Sequence, residues 1–198
     1  HPNFAKVYVI GLGCECAQIS LYNNDQINRN VEYLNIQDEG GTKEIVNKVS
    51  IKIIDQLEKI NKIKRTNIPV SELTLALQCG GSDSYSGITA NPALGFASDL
   101  LIDCGGSSIL SETPEIYGAE HLLYERSTNK FNIEKIEKQI DWWKDHLRKS
   151  NSALDNNPSP GNKKGGLTTI LEKSLGAVSK SGTKNMVDVL DYAERIKY

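Results

Sequence analysis

Leu73-Thr74-Leu75-Ala76-Leu77-Gln78-Cys79-Gly80-Gly81-Ser82-Asp83 is the stretch on which the fold turns. Its apolar opening predicts a short buried strand, and the paired glycines stop it with a turn. Downstream, Asn91-Pro92 reads as an N-cap with proline at the first helical position, so a helix is expected from 92 to about 103. A further strand, Ser108 to Leu110, ends at Ser111-Glu112. Thr113-Pro114 then repeats the capping signal and opens a helix through about Tyr124. A helix between two strands implies parallel pairing through a right-handed crossover.

Upstream the same alternation continues. Residues 5–10 (Ala-Lys-Val-Tyr-Val-Ile) predict a strand closed by Gly11-Leu12-Gly13, followed by a short helix from Cys14 to about Tyr22. Residues 31–36 predict another strand. Thr42 then caps a long helix with Val46, Val49, Ile53, Leu57 and Ile60 on one stripe. Past Tyr124 the pattern turns helical. Ile133, Ile136, Ile140, Trp143 and Leu147 share one helix face, residues 156–166 form a loop, and helices are expected near 167–178 and 184–196. The expected fold class is α/β: a Rossmann-like, open, mainly parallel four-stranded sheet flanked by helices, with a helical C-terminal portion. It is read as one domain over 1–198, with a sheet-bearing core at 1–126 and a helical extension at 127–198.

Charge and composition exclude several partners. Lys+Arg 23 against Asp+Glu 25 leaves a net charge of -2, no footprint for nucleic acid or an anionic membrane. No apolar run is long enough to span a bilayer and no signal peptide opens the chain, so a cytoplasmic protein is expected. The cysteines Cys14, Cys16, Cys79 and Cys104 lack the spacing of a disulfide scaffold and read as thiols.

In an open parallel sheet, ligands bind beyond the carboxyl ends of the strands. Gly11 to Glu15, Gln78 to Asp83 and Ser111 to Thr113 would gather there, while Cys104 falls on the opposite edge. Glycines Gly80 and Gly81 would let a small ligand approach the backbone. Each feature also has a plainer reading. Gly11-x-Gly13 lacks the third glycine of a dinucleotide fingerprint, because Cys16 stands there. Cys79 at a strand end suits a core, Asp83 suits a turn, and Glu115 suits a helix dipole. The loop from Pro158 to Gly166 misses the P-loop pattern, yet its lysines and glycines could cradle a carboxylate.

Three blocks carry a resemblance. Gln78 through Gly95, Ile109 through His121, and Asn157 through Lys163 with Gly165 to Ala177 resemble the altronate/galactarate dehydratase family. The opening His1-Pro2-Asn3 and the Gly11 to Glu15 run are similar to it too. Cys16, Lys164 and Cys104 depart from the family pattern and receive no role. The family's chains are longer, so the resemblance implies a central fragment whose N- and C-terminal segments are missing.

The resemblance further implies loss of water from a small sugar acid to give a 2-keto-3-deoxy acid, with Fe(II) or another divalent metal as cofactor. Candidate metal ligands are Cys79 and Glu112, then Cys14 and His121; thiolate and imidazole suit Fe(II) better than Mg(II). Glu15, Ser82 and Asp83 are candidate catalytic groups. Gly80, Gly81, Ser86, Thr89, Asn91, Lys163 and Thr168 are candidate substrate contacts. A homo-oligomer is expected. The competing readings are a sulfo-lyase subunit on the same scaffold, a non-catalytic oligomerisation domain and a nucleotide binder.

Overall fold

The computed structural model describes residues 3–22 and 30–196. The chain divides into two compact units, His1–Asn67 and Ile68–Tyr198, where the sequence reading treated 1–198 as one domain divided near 126.

In the first unit, strand β1 (Val7–Gly11) pairs in parallel with β2 (Val31–Asn35), from Val7 opposite Val31 to Gly11 opposite Asn35. Helix α1 (Thr42–Asn61) lays Ile45 and Val49 on this pair, against Leu34, Tyr8 and Ile36. Of the expected stripe only Val49 is buried. Val46 is 57% exposed and Ile53 41%, because two strands about 4.8 Å apart cover little more than the first turns of a 20-residue helix. The helix expected at 14–22 is reduced to a 3-10 turn, Ile19–Leu21. The Glu15 carboxylate takes the N–H groups of Leu12 (2.9 Å) and Gly13 (2.6 Å), and such local bonds compete with a helical ladder.

The second unit opens with strand β3 (Thr74–Leu77), parallel to β4 (Ser107–Leu110), and helix α2 (Ala90–Asp103) is the crossover between them. This βαβ element matches the sequence reading in its order, but α2 starts two residues early with Thr89 at its N-cap, so Asn91 is not the cap and its side chain bonds the Gly176 carbonyl instead. The four-stranded sheet does not form: the described residues make a mixed α/β structure with two separate two-stranded parallel sheets. A parallel sheet grows only when a crossover returns the chain to its edge. After α1 the chain instead runs exposed through residues 62–69, and β3 pairs with β4 alone.

The helix expected from Thr113 breaks at Gly118, whose φ of 87° is a left-handed conformation. A 3-10 turn (Thr113–Ile116) and a short α3 (His121–Tyr124) take its place. Helix α4 (Lys130–Lys149) follows, its first turn capped by the Asn129 side chain. The loop expected at 156–166 holds a small helix, α5 (Pro160–Lys164), and α6 (Ile170–Ser179) is capped by Thr169. The helix expected at 184–196 is absent. Lys135 and Gln139 of α4 donate to the carbonyls of Val189 and Leu190, so this segment finds its backbone partners on α4. Ile116, Ala119, Leu123, Ile136, Ile140, Leu154 and Val178 form the core.

Helix α2 meets the end of α6 through Gly95, which lies against Ser179 and Gly182. The turn beyond α6 is held from two sides. Arg126 donates to the carbonyl of Gly182 (2.6 Å) and to the Ser181 hydroxyl (2.7 Å). Asp99 accepts from the N–H (2.9 Å) and hydroxyl (2.9 Å) of Thr183 and from the N–H of Lys184 (3.2 Å). Burial pushes the Asp99 carboxyl up, but these donors outweigh it and hold it below the usual carboxylate range. A carboxyl lowered on folding contributes stability above its unfolded pKa of about 3.9, and loses it as pH falls through the folded value. Asp99→Asn is therefore expected to lower the thermal midpoint at neutral pH by about 2–4 °C. The gap to wild type closes in acid, and an unchanged gap across an acid titration would refute the assignment.

Candidate active site

Strands β3 and β4 end side by side, so the turns leaving them meet. The N–H of Cys79, just past β3, donates to Glu112 Oε1 at 2.7 Å, just past β4. Cys79 Sγ lies 2.7 Å from Ser82 Oγ. The second Glu112 oxygen takes the Lys180 ammonium at 2.6 Å, with the two side chains only 2% and 5% exposed. One helical turn past Glu112, Glu115 Oε1 takes the Lys173 ammonium at 2.8 Å. Lys173 also donates to Asn157 Oδ1 (3.0 Å) and Asn162 Oδ1 (3.2 Å), and Asn162 ties back to the Ser82 carbonyl at 2.9 Å.

Ligand atoms of Cys79, Glu112 and Glu115 all lie within 4.8 Å of one another. Glu115 Oε2 is buried with no hydrogen-bond donor. Burial pushes the Glu115 carboxyl up, but the Lys173 ammonium prevails, with smaller help from the Asn157 amide, and leaves it below the usual range. A thiol, two carboxylates and one undonated buried oxygen fit a divalent transition metal. The soft sulfur disfavours Mg(II).

A cleft of about 250 Å³ opens beside this cluster, between the loop after β3 and α6. Ser82, Asp83, Ser86, Asn91, Glu172 and Lys173 are among its lining residues. Ser82, against Cys79 Sγ, and Lys173, paired with Glu115, also line the cleft wall, so a ligand in the cleft borders the groups that hold the cluster.

Of the residues expected from sequence, Cys79, Glu112 and Ser82 come together. Asp83, Ser86 and Asn91 stand on the cleft. Asp83 Oδ1 accepts from the N–H of Tyr85 (2.9 Å), the N–H of Ser86 (2.9 Å) and the Ser86 hydroxyl (3.0 Å), which hold its carboxyl below the usual range. Asn91 donates to the carbonyl of Gly176 at 3.0 Å. Gly80 and Gly81 are exposed, with nothing near the position of an added Cβ. Thr89 bonds the carbonyl of Tyr85, and Thr168 bonds Glu172. Lys163 is exposed on α5, and His121 is exposed outside the ligand cluster. Cys14 and Glu15 lie in the first unit, where Cys14 is exposed and Glu15 caps its own turn.

Glu115, Lys173, Lys180, Asn157 and Asn162 were missed. A signal for the lysines existed. Lys173 and Lys180 are seven residues apart, and the face they share carries Gly176 and Ala177, an inward face on which unpaired charge does not belong.

Residues 70–198 match the sequence model of the family described as D-galactarate/altronate dehydratase, C-terminal. The chain belongs to that family. Residues 1–61 match the family's "second domain" (D-galactarate dehydratase/altronate hydrolase), so the two matches flank the same exposed linker that separates the two units. The chain is 40% identical over 204 residues to a galactarate dehydratase (L-threo-forming) of Escherichia coli, across 98% of this chain and 39% of that protein. An altronate dehydratase of Bacillus subtilis is 40% identical over 199 residues, across 100% of this chain and 40% of its own length. The subunit beta of a (2R)-sulfolactate sulfo-lyase from Chromohalobacter salexigens is 34% identical over 197 residues, across 98% of this chain and 50% of that protein. This chain thus spans about two fifths of the dehydratases it matches. Those dehydratases are hydro-lyases, and no helix among the described residues is long and apolar enough to cross a membrane.

Proposed function

We propose that the second unit carries the acid-binding centre of a carbon–oxygen lyase that removes water from a sugar acid of altronate or galactarate type. The product is a 2-keto-3-deoxy acid. The observation that carries this reading is the Cys79–Glu112–Glu115 cluster, with its two lysines, lying beside a cleft that Ser82 and Lys173 also line.

Cys79, Glu112 and Glu115 would hold the metal, and the donor set suits Fe(II). When bound, the metal withdraws electron density from the substrate's carboxylate and so acidifies the neighbouring C–H. The chain's own groups do the rest. Ser82, Ser86 and Asn91 face the cleft with hydroxyl and amide groups for sugar hydroxyls. Asp83 Oδ1 is committed to its turn, which leaves Oδ2 to take the hydrogen as a proton. That proton passes to the hydroxyl of the next carbon, which departs as water with the electrons of its C–O bond, and the remaining enol takes its keto form.

Asp83→Asn keeps a turn-accepting oxygen but cannot hold that proton. It is expected to lower kcat by about 10²–10⁴ with little change in thermal midpoint. Turnover within a factor of a few of wild type would remove Asp83 from the chemistry. For the activity itself, altronate, galactarate and sulfolactate are offered to the intact enzyme while keto acid and sulfite are followed. Keto acid from a sugar acid supports the reading. Sulfite release from sulfolactate, with no keto acid formed from either sugar acid, would replace dehydration by sulfo-lyase chemistry, the activity named for the 34% identical relative.

A further inference from the structure

The two carboxylates in the cluster are already neutralised by the protein itself. Lys180 sits on Glu112 and Lys173 on Glu115, at 2.6 Å and 2.8 Å. Three of these four side chains are less than 10% exposed, and Glu115 is 22% exposed. Two negative and two positive charges sum to zero. A divalent cation among Cys79, Glu112 and Glu115 would have an ammonium group directly behind each carboxylate that attracts it, and burial screens this repulsion poorly. A Cys79 thiolate offsets one of the two added charges. One positive charge remains unmatched.

An anion can reach the cluster from one direction shown by the structure, the cleft. Ser82 touches Cys79 Sγ and Lys173 touches Glu115, and both residues line the cleft wall. We infer that the cluster takes a divalent metal and an α-hydroxy carboxylate as a pair, the acid's carboxylate supplying the charge that the two lysines cancel. The inference rests on the metal-site reading above and adds to it the coupling of the two ligands. The metal alone is held weakly, the acid alone is held weakly, and each tightens the other by the same factor.

The pairing is tested with Co(II), whose thiolate charge-transfer absorption reports binding at Cys79, and with glycolate. Glycolate is an α-hydroxy carboxylate with no adjacent carbon from which hydroxide could leave, so no turnover intervenes. In the intact protein, saturating glycolate is expected to tighten Co(II) by at least about tenfold, with the same factor on glycolate affinity when Co(II) is saturating. Lys180→Met is expected to bind Co(II) alone at least about tenfold tighter and to gain less from glycolate. The reciprocal measurement on wild type carries the test by itself if that variant does not fold. Equal Co(II) affinity with and without glycolate, with the charge-transfer band present, overturns the pairing and leaves the metal site standing. Absence of the band under both conditions, or a band that survives Cys79→Ser, overturns the site and the pairing with it.

Discussion

Glu112→Gln is expected to destabilise the protein by about 3–5 kcal/mol and to abolish metal uptake. Glutamine keeps an oxygen for the Cys79 N–H but removes the charge opposite Lys180, whose ammonium then stays buried without a counter-ion. The desolvation cost of an orphaned buried charge exceeds what an exposed ion pair would be worth. The stability and binding effects separate in Glu112→Gln/Lys180→Met. Removing both charges is expected to recover at least about 2 kcal/mol of the loss, while metal uptake stays absent. Denaturant unfolding of the four proteins in the cycle, with Co(II) titration of each at saturating glycolate, measures both. A double variant as unstable as the single would mean that the ion pair is not what Glu112 contributes. Undiminished Co(II) binding would remove Glu112 from the ligand set.

Gly95→Ala is expected to cost about 3 kcal/mol, at the upper end for a single added methyl. A Cβ at Gly95 would press into the carbonyl of Ser179 and stand 3.0 Å from Gly182 N and 3.2 Å from its Cα. All three are backbone atoms, and Arg126 and Asp99 pin the turn they belong to. The strain therefore falls on the end of α6, one residue before Lys180, so the Lys180–Glu112 pair is expected to loosen as well. Gly161→Ala is the control. Its Cβ would meet only Ser159 Oγ at 3.9 Å on α5, and it is expected to be neutral or to stabilise by up to about 1 kcal/mol. Thermal unfolding of both variants decides the matter, and equal midpoints would show that α2 and α6 can separate at no cost.

How much of this was readable in the chain differs from element to element. The βαβ element of the second unit was legible because its signals are local: an apolar run stopped by Gly80 and Gly81, then Asn91-Pro92, which fall in the first turn of α2 rather than at its cap. The meeting of Cys79 and Glu112 followed from it, since adjacent parallel strands bring their carboxyl ends together. The helix expected at 184–196 failed because apolar spacing does not tell a helix from a segment bonded to its neighbour's side chains. Asp83 shows the turn role anticipated for it, its Oδ1 accepting from Tyr85 and Ser86.

By itself the sequence determined the βαβ element of the second unit, its family, and the meeting of Cys79 with Glu112. Tertiary structure alone decided that the strands separate into two sheets, that Glu115 joins Cys79 and Glu112, and that Lys173 and Lys180 neutralise them. The physical reason is distance along the chain. Caps, turns and apolar periods act over a few residues, whereas the Lys180–Glu112 bond joins groups 68 residues apart, and an ion pair leaves no mark on the sequence between its ends.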